Sequence, residues 1–226
     1  MDFSDTDKNT LNQFVETIDR SELNAISTMD MLWALTNPET RKLIDKILAL
    51  NPNDYGFRGA PVLCEPVPSD VIMIAAQQDD KSGEYTLGEI TYLPRAVHEA
   101  FSNMAEEFQK DAPGQKLMVG SGYRSPAFQI VILLYILTKV YDFDLGNTFK
   151  RVAMPQYSQH CSASNTAIDM LNVDGEPSDG KPENFKDSLE YKWLIENAHR
   201  YHFYESYPLN NSDGIMPEPW HWQFRA

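Results

Sequence analysis

The stretch Glu218-Pro219-Trp220-His221-Trp222-Gln223-Phe224 places a carboxylate three residues ahead of an imidazole, in aromatic surroundings. Residues 220–224 read as a β-strand that delivers His221 to the site it serves. Neutral imidazole is a good ligand for a first-row metal, and a nearby carboxylate can deprotonate water at such a centre. Taken alone, a Trp-flanked His is usually just a packed side chain. Two other stretches supply what it lacks.

The first is Ser158-Gln159-His160-Cys161-Ser162-Ala163-Ser164-Asn165-Thr166-Ala167-Ile168-Asp169. Residues 166–173 alternate like a strand, with Asp169 in its interior among Ile168, Met170 and Leu171. An unpaired carboxylate there is costly, so a metal or a cation should neutralise it. His160, Asp169 and His221 then offer three metal ligands. Three protein ligands with one open position make up a catalytic zinc site rather than a structural one.

The second is Ser121-Gly122-Tyr123-Arg124-Ser125-Pro126, entered from a short strand over 116–120. Ser125 and Pro126 are a cap and a first-turn residue, so a helix starts here and runs to about Tyr141. It is apolar nearly all round from Phe128 to Leu137, which marks it as central and buried. Arg124 sits at its mouth, where a cation needs a partner, and Gln129 is a polar residue in an oily stretch. An isolated pair of this kind more often just satisfies local backbone groups.

The remaining elements frame these three stretches. Residues 8–50 read as helical, with Leu11, Phe14, Val15 and Ile18 on one face and Ser21 capping a second helix that carries Leu32 and Trp33. Asn37-Pro38-Glu39 starts a third helix, whose buried stripe is Leu43, Ile44, Ile47 and Leu48. Residues 71–75 and 85–92 have strand character around a polar turn at 78–83. Pro94 opens a helix to about Lys110 with Val97, Phe101, Met104 and Phe108 inward. A helix over 189–200 and a strand over 203–207 precede the closing stretch. His98, His199 and His202 lack partners at useful spacing and read as packing or surface residues.

Composition bounds the rest. A chain of 226 residues, 42% hydrophobic and 23% charged, builds a real core. A net charge of −14 argues against nucleic acid or anionic membrane as partner, since both select clustered Lys and Arg. Cys64 and Cys161 lie far apart without a CxxC pattern, so one disulfide and two free thiols both stay open. Acidic residues occupy the place of a signal peptide's apolar segment, and the longest apolar run is about half of a membrane span.

Four segments in this order, SGYRSPAFQ (121–129), SQHCSASNTAID (158–169), YKWLIENAHRYHFYESYP (191–208) and EPWHWQF (218–224), carry a family likeness. Together they resemble the VanY-type D-alanyl-D-alanine carboxypeptidases, zinc peptidases of the group that includes VanX dipeptidases and L-alanyl-D-glutamate endolysins. The likeness spans roughly residues 90–226. It implies a zinc ion held by His160, Asp169 and His221, with Glu218 as general base. It implies that Arg124 polarises the scissile carbonyl, and that Gln129 and Ser158 bind substrate. Tyr123 and Trp220, beside Arg124 and His221, complete the candidate substrate-binding set.

One departure from the family pattern stands out. The usual S-x-H-x-x-G-x-A-x-D has seven positions from His to Asp, whereas Asp169 lies nine beyond His160 and Ser164-Asn165 replace the customary Gly. The segment Ala167-Ile168-Asp169 fits the motif's end, so two residues are inserted in the connecting loop. The expected fold is α+β: a small, mainly antiparallel sheet flanked by helices over residues 61–226, with a helical extension over 1–60. The expected reaction is hydrolytic release of a terminal D-alanine from peptidoglycan stem peptides or precursors. The alternatives are cleavage of D-Ala-D-Ala dipeptide or of an L-Ala–D-Glu bond, or a non-catalytic wall-peptide-binding module. Action on mature wall places the protein in the bacterial cell envelope, periplasmic or extracellular, once a signal is removed; action on soluble precursors is compatible with the cytoplasm.

Overall fold

A computed structural model describes residues 1–18, 23–74, 90–174 and 182–226. The expected cap at Ser21, the turn at 78–83 and most of the strand at 85–92 lie outside the described residues. The chain falls into two compact units, one of Met1–Val67, Arg124–Cys161 and Ser212–Met216, the other of Pro68–Tyr123, Ser162–Asn211 and Pro217–Ala226.

The first unit is helical. Helix α1 (Asp5–Thr17) begins with a capping box between Ser4 and Asp7, and buries Leu11 and Phe14. Helix α2 (Met29–Leu35) is capped by Thr28, and α3 (Pro38–Leu48) by Asn37 with Pro38 in its first turn. Helices α1 and α2 pack on α5 (Pro126–Tyr135), which is capped by Ser125 as its sequence predicts and buried on almost every side, while α3 packs on α1. The helical run reaches the expected end at about Tyr141, but its last turn changes type. Residues Ile136–Val140 form a π-helical turn, closed where the Tyr141 N–H donates to the Ile136 carbonyl at 3.1 Å. The buried Thr138 hydroxyl donates to the Leu134 carbonyl at 2.8 Å, a side-chain bond that competes with the regular ladder and favours the wider turn. Helix α6 (Leu145–Arg151), capped by Asp144, follows.

The second unit is built on an antiparallel sheet. Its strands are β3 (Met118–Ser121), β4 (Ala167–Leu171), β5 (Phe203–Tyr207) and β6 (Glu218–Phe224), in the order β3-β4-β6-β5. A two-stranded ladder of β1 (Val71–Ile74) and β2 (Thr91–Pro94) leads into α4 (Arg95–Asp111). Helices α7 (Pro182–Lys186) and α8 (Leu189–Asn197) complete the unit. The fold is thus α+β, with small antiparallel sheets flanked by helices, as expected.

Strand alternation sorts the sheet into two faces. Ile168 and Met170 of β4, Phe203 of β5 and Trp220, Trp222 and Phe224 of β6 enter one hydrophobic cluster. Val97, Phe101, Met104 and Phe108 of α4 and Trp193 and Leu194 of α8 meet them there. The Trp193 indole N–H donates to the Asp111 carboxylate at 2.9 Å, so the buried aromatic keeps its polar atom satisfied. Asp169 and His221 fall between the core-facing positions and so point to the opposite face.

Glu190, in the first turn of α8, is 2% exposed, and its Oε1 has no hydrogen-bond partner among the described residues. Burial pushes its carboxyl above the ordinary glutamate range. The folded state therefore holds the proton more tightly than the unfolded chain, and this stabilisation is lost as pH rises from the unfolded value through the raised one. Glu190→Gln should gain thermal stability relative to the parent progressively across that window, read as the difference in Tm. A difference independent of pH would show that Glu190 is effectively solvated.

Candidate metal centre

Asp169 and His221 are direct partners across β4 and β6, with Ile168 opposite Trp222 and Ala167 opposite Gln223. Directly paired residues on antiparallel strands project from the same face with neighbouring Cβ atoms. His221 Nδ1 accordingly lies 3.0 Å from Asp169 Oδ1. Ser121 of β3 pairs with Asp169 from the other side, next to an irregularity in the β3–β4 ladder.

Glu218 reaches the same nitrogen by a different device. The β5–β6 ladder pairs Glu205 with Trp222 but then Tyr207 with Glu218, so β6 bulges between them. Pro219 sits in this bulge, where a missing N–H costs no ladder bond. Its carbonyl accepts the Trp222 indole N–H at 2.9 Å, which fastens the bulge to the core. Glu218 Oε2 ends 3.7 Å from His221 Nδ1. The Tyr207 ring packs on the His221 ring at a centroid distance of 4.8 Å.

His160 is buried in a 3-10 turn, Gln159–Cys161. The Cys161 N–H closes the turn on the Ser158 carbonyl at 3.0 Å, and the Arg124 N–H donates to the His160 carbonyl at 3.0 Å. An extended segment runs alongside: Val62 N–H donates to the Gln156 carbonyl at 2.7 Å and Glu65 N–H to the Cys161 carbonyl at 3.3 Å. His160, Asp169 and His221 each offer a ligand atom, and the three atoms lie within 4.8 Å of one another.

The donor set fits a metal ion of zinc's kind. Two imidazoles and a carboxylate are borderline ligands suited to it. The side chains of His221, Glu218 and Asp169 are 4%, 10% and 18% exposed. Two carboxylates thus converge on one ring nitrogen, which carries at most one proton between them. A divalent cation held by His160, Asp169 and His221 would offset the negative charge gathered there.

The insertion between His160 and Asp169 folds on itself. Asn165 N–H donates to the Ser162 hydroxyl at 3.2 Å, and the Thr166 hydroxyl donates to the Ser162 carbonyl. The Phe224 N–H donates to the Thr166 carbonyl at 3.1 Å, so β4 enters its ladder in register.

The other expected site residues differ in place. Gln129 is buried in α5, where its Nε2 donates to the Ala153 carbonyl at 2.8 Å while Oε1 has no partner among the described residues. Ser158 is buried at the start of the His160 turn. Tyr123 is fully buried, with its N–H on the Tyr92 carbonyl at 2.8 Å, and Trp220 is part of the hydrophobic cluster. Gly122 is held by proximity: a Cβ there would meet the Tyr92 carbonyl oxygen at 2.5 Å. Cys64 and Cys161 are free thiols. Contact with the Cys64 thiol and burial push Cys161 well above the usual thiol range. Tyr207 went unnoticed in the sequence, because nothing short of the β5–β6 register places it against His221.

The VanY family model, D-alanyl-D-alanine carboxypeptidase, matches residues 90–226, more than half of the chain. The chain belongs to the VanY family. A D-alanyl-D-alanine carboxypeptidase of Enterococcus faecium is 29% identical over 164 residues, covering 71% of this chain and 46% of its own length. YodJ of Bacillus subtilis is 28% identical over 210 residues, covering 89% of this chain and 66% of its own length. The chain thus spans about half to two thirds of these VanY-related proteins. Among solved structures, the LdcB LD-carboxypeptidase aligns with a TM-score of 0.57 at 23% identity, over 77% of this chain and 78% of its own, which establishes a shared fold.

His160→Ala should reduce zinc uptake to background in equilibrium dialysis followed by elemental analysis, with the protein still folded by circular dichroism. Full zinc occupancy in that variant would remove His160 from the ligand set.

Proposed function

We propose that this protein is a zinc peptidase that hydrolyses the terminal D-Ala–D-Ala bond of peptidoglycan stem peptides or their precursors. The observation that carries the reading is the convergence of His160, Asp169 and His221 within 4.8 Å, with Glu218 beside His221, in a chain of the VanY family. A zinc ion held by the three ligands supplies Lewis acidity toward a peptide carbonyl and toward water.

The protein's own residues do the rest. Glu218 accepts the proton of the attacking water and returns it to the departing amine, so that the C–N bond breaks with a neutral leaving group. Its carboxylate is mostly shielded from solvent and fixed by the β6 bulge, which limits reorganisation during transfer. Arg124, tied through its backbone to the His160 turn, brings positive charge toward the carbonyl oxygen as that atom gains negative charge. A donor so placed contributes about 3 kcal/mol to transition-state stabilisation. Gln129 and Ser158 are the polar residues that the family likeness assigns to substrate; both are buried, and Gln129 Oε1 is an acceptor without a partner among the described residues. A wall-peptide-binding module has no use for a general base, so the presence of Glu218 favours catalysis.

The decisive assay is mass spectrometry of pentapeptide muropeptides incubated with zinc-loaded protein, with and without chelator. Loss of one alanine, abolished by the chelator, is expected. Glu218→Ala should keep zinc and lose turnover by about 10²–10⁴-fold; wild-type turnover in that variant would strip Glu218 of the base role.

A further inference from the structure

The chain has two cysteines, which the peptidase chemistry does not use, and both lie in the first unit. An extended segment over residues 62–65 brings them together. Its Val62 N–H donates to the Gln156 carbonyl at 2.7 Å and its Glu65 N–H to the Cys161 carbonyl at 3.3 Å. Its backbone therefore runs against the turn that carries His160. Between those two bonds the Cys64 thiol donates to the Pro155 carbonyl at 2.7 Å. The Cys64 and Cys161 side chains are themselves in hydrogen-bond contact, and the Ser158 hydroxyl bonds Cys161 as well. Thiols in contact on two bonded backbone segments need little movement to join.

The two thiols differ in access. Cys161 is fully buried, whereas Cys64 is half-buried on a segment whose Leu63 is 76% exposed. A reagent arriving from solvent reaches Cys64, and Cys161 stands behind it. One accessible thiol backed by a second in contact is the arrangement that carries oxidation through a mixed disulfide to an internal one.

We propose that Cys64 and Cys161 form a reversible redox site, oxidised by small disulfide compounds, whose disulfide fastens the 62–65 segment to the His160 turn. The Cys64 sulfur first attacks the compound's S–S bond. One half departs as a thiol with the Cys64 proton, and the other half stays on Cys64. Cys161 then attacks the Cys64 sulfur, gives up its own proton and expels the second half as a thiol. Two electrons and two protons have passed to the oxidant, which leaves as two thiols. Excess thiol reverses both steps. The site stands apart from the peptidase reading, since it needs neither substrate nor turnover.

The test equilibrates the folded full chain with glutathione and glutathione disulfide at graded ratios. Free thiols are then blocked with N-ethylmaleimide in denaturant, and the intact protein is weighed. At oxidising ratios both alkylation sites should vanish together, leaving a protein lighter by two hydrogens. A non-reducing digest should contain the Cys64–Cys161 cross-linked peptide, and excess glutathione should restore both thiols. The oxidised protein should melt about 5–10 °C above the reduced one. Cys161→Ser should stop at a glutathione adduct on Cys64, and Cys64→Ser should leave Cys161 unmodified while folded. If the buried Cys161→Ser variant fails to fold, Cys64→Ser and the parent chain still decide the matter. A glutathione adduct that persists on Cys64 of the parent, two thiols that survive every ratio, or ready modification of Cys161 in folded Cys64→Ser would each overturn the site. A disulfide that leaves Tm unchanged would overturn the fastening of the His160 turn.

Discussion

The pairing of Asp169 with His221 across β4 and β6 is the constraint on which the rest of the second unit depends. Side chains alternate with a period of two, so a one-residue slip of either strand would carry a charge into the hydrophobic cluster and a core residue to the site. The core itself forbids the slip. Ile168 opposite Trp222, with Met170, Trp220 and Phe224 on the same face, commits both strands to one register. Hydrophobic burial on one side of the sheet thereby fixes the ligand geometry on the other.

That geometry is expensive without an ion. A buried carboxylate–imidazole contact stabilises little, because desolvation offsets most of its Coulombic gain. Glu218 adds a second carboxylate at 3.7 Å from the same nitrogen. Such an arrangement persists only because the surrounding structure holds it, and the β6 bulge does so with ordinary means: a proline that needs no ladder partner and an indole N–H returned to that proline's carbonyl.

Much of this was legible in the sequence, and the reasons differ by element. Helix starts were readable because caps are local chemistry: Asn37-Pro38 and Ser125-Pro126 both begin helices where their side chains accept a backbone N–H. The meeting of Asp169 with His221 was readable because a His and an Asp inside aromatic or apolar strands need a reason to be there. The π turn after α5 was not, since it follows from Thr138 bonding to Leu134 within a stretch whose apolar pattern simply continues. Trp220 neighbours His221 in β6, and alternation along the strand takes its side chain into the hydrophobic cluster. The place of Tyr207 against His221 depends on strand register and on a bulge, which residue patterns do not encode.

The two-residue insertion expected between His160 and Asp169 would cost the fold little. Lengthening a connection from seven to nine positions adds only about 0.2 kcal/mol of loop-closure entropy. The larger risk is register, because an even a small displacement of β4 would part Asp169 from His221. Here the loop closes on itself through Asn165, Thr166 and Ser162, and the Thr166 carbonyl then accepts the Phe224 N–H at the head of the β4–β6 ladder. The insertion is therefore absorbed before the first strand residue. What reaches the metal centre is the register set by the core, and loop length enters only through the His160 turn, which is held separately by Arg124, Ser158 and Glu65.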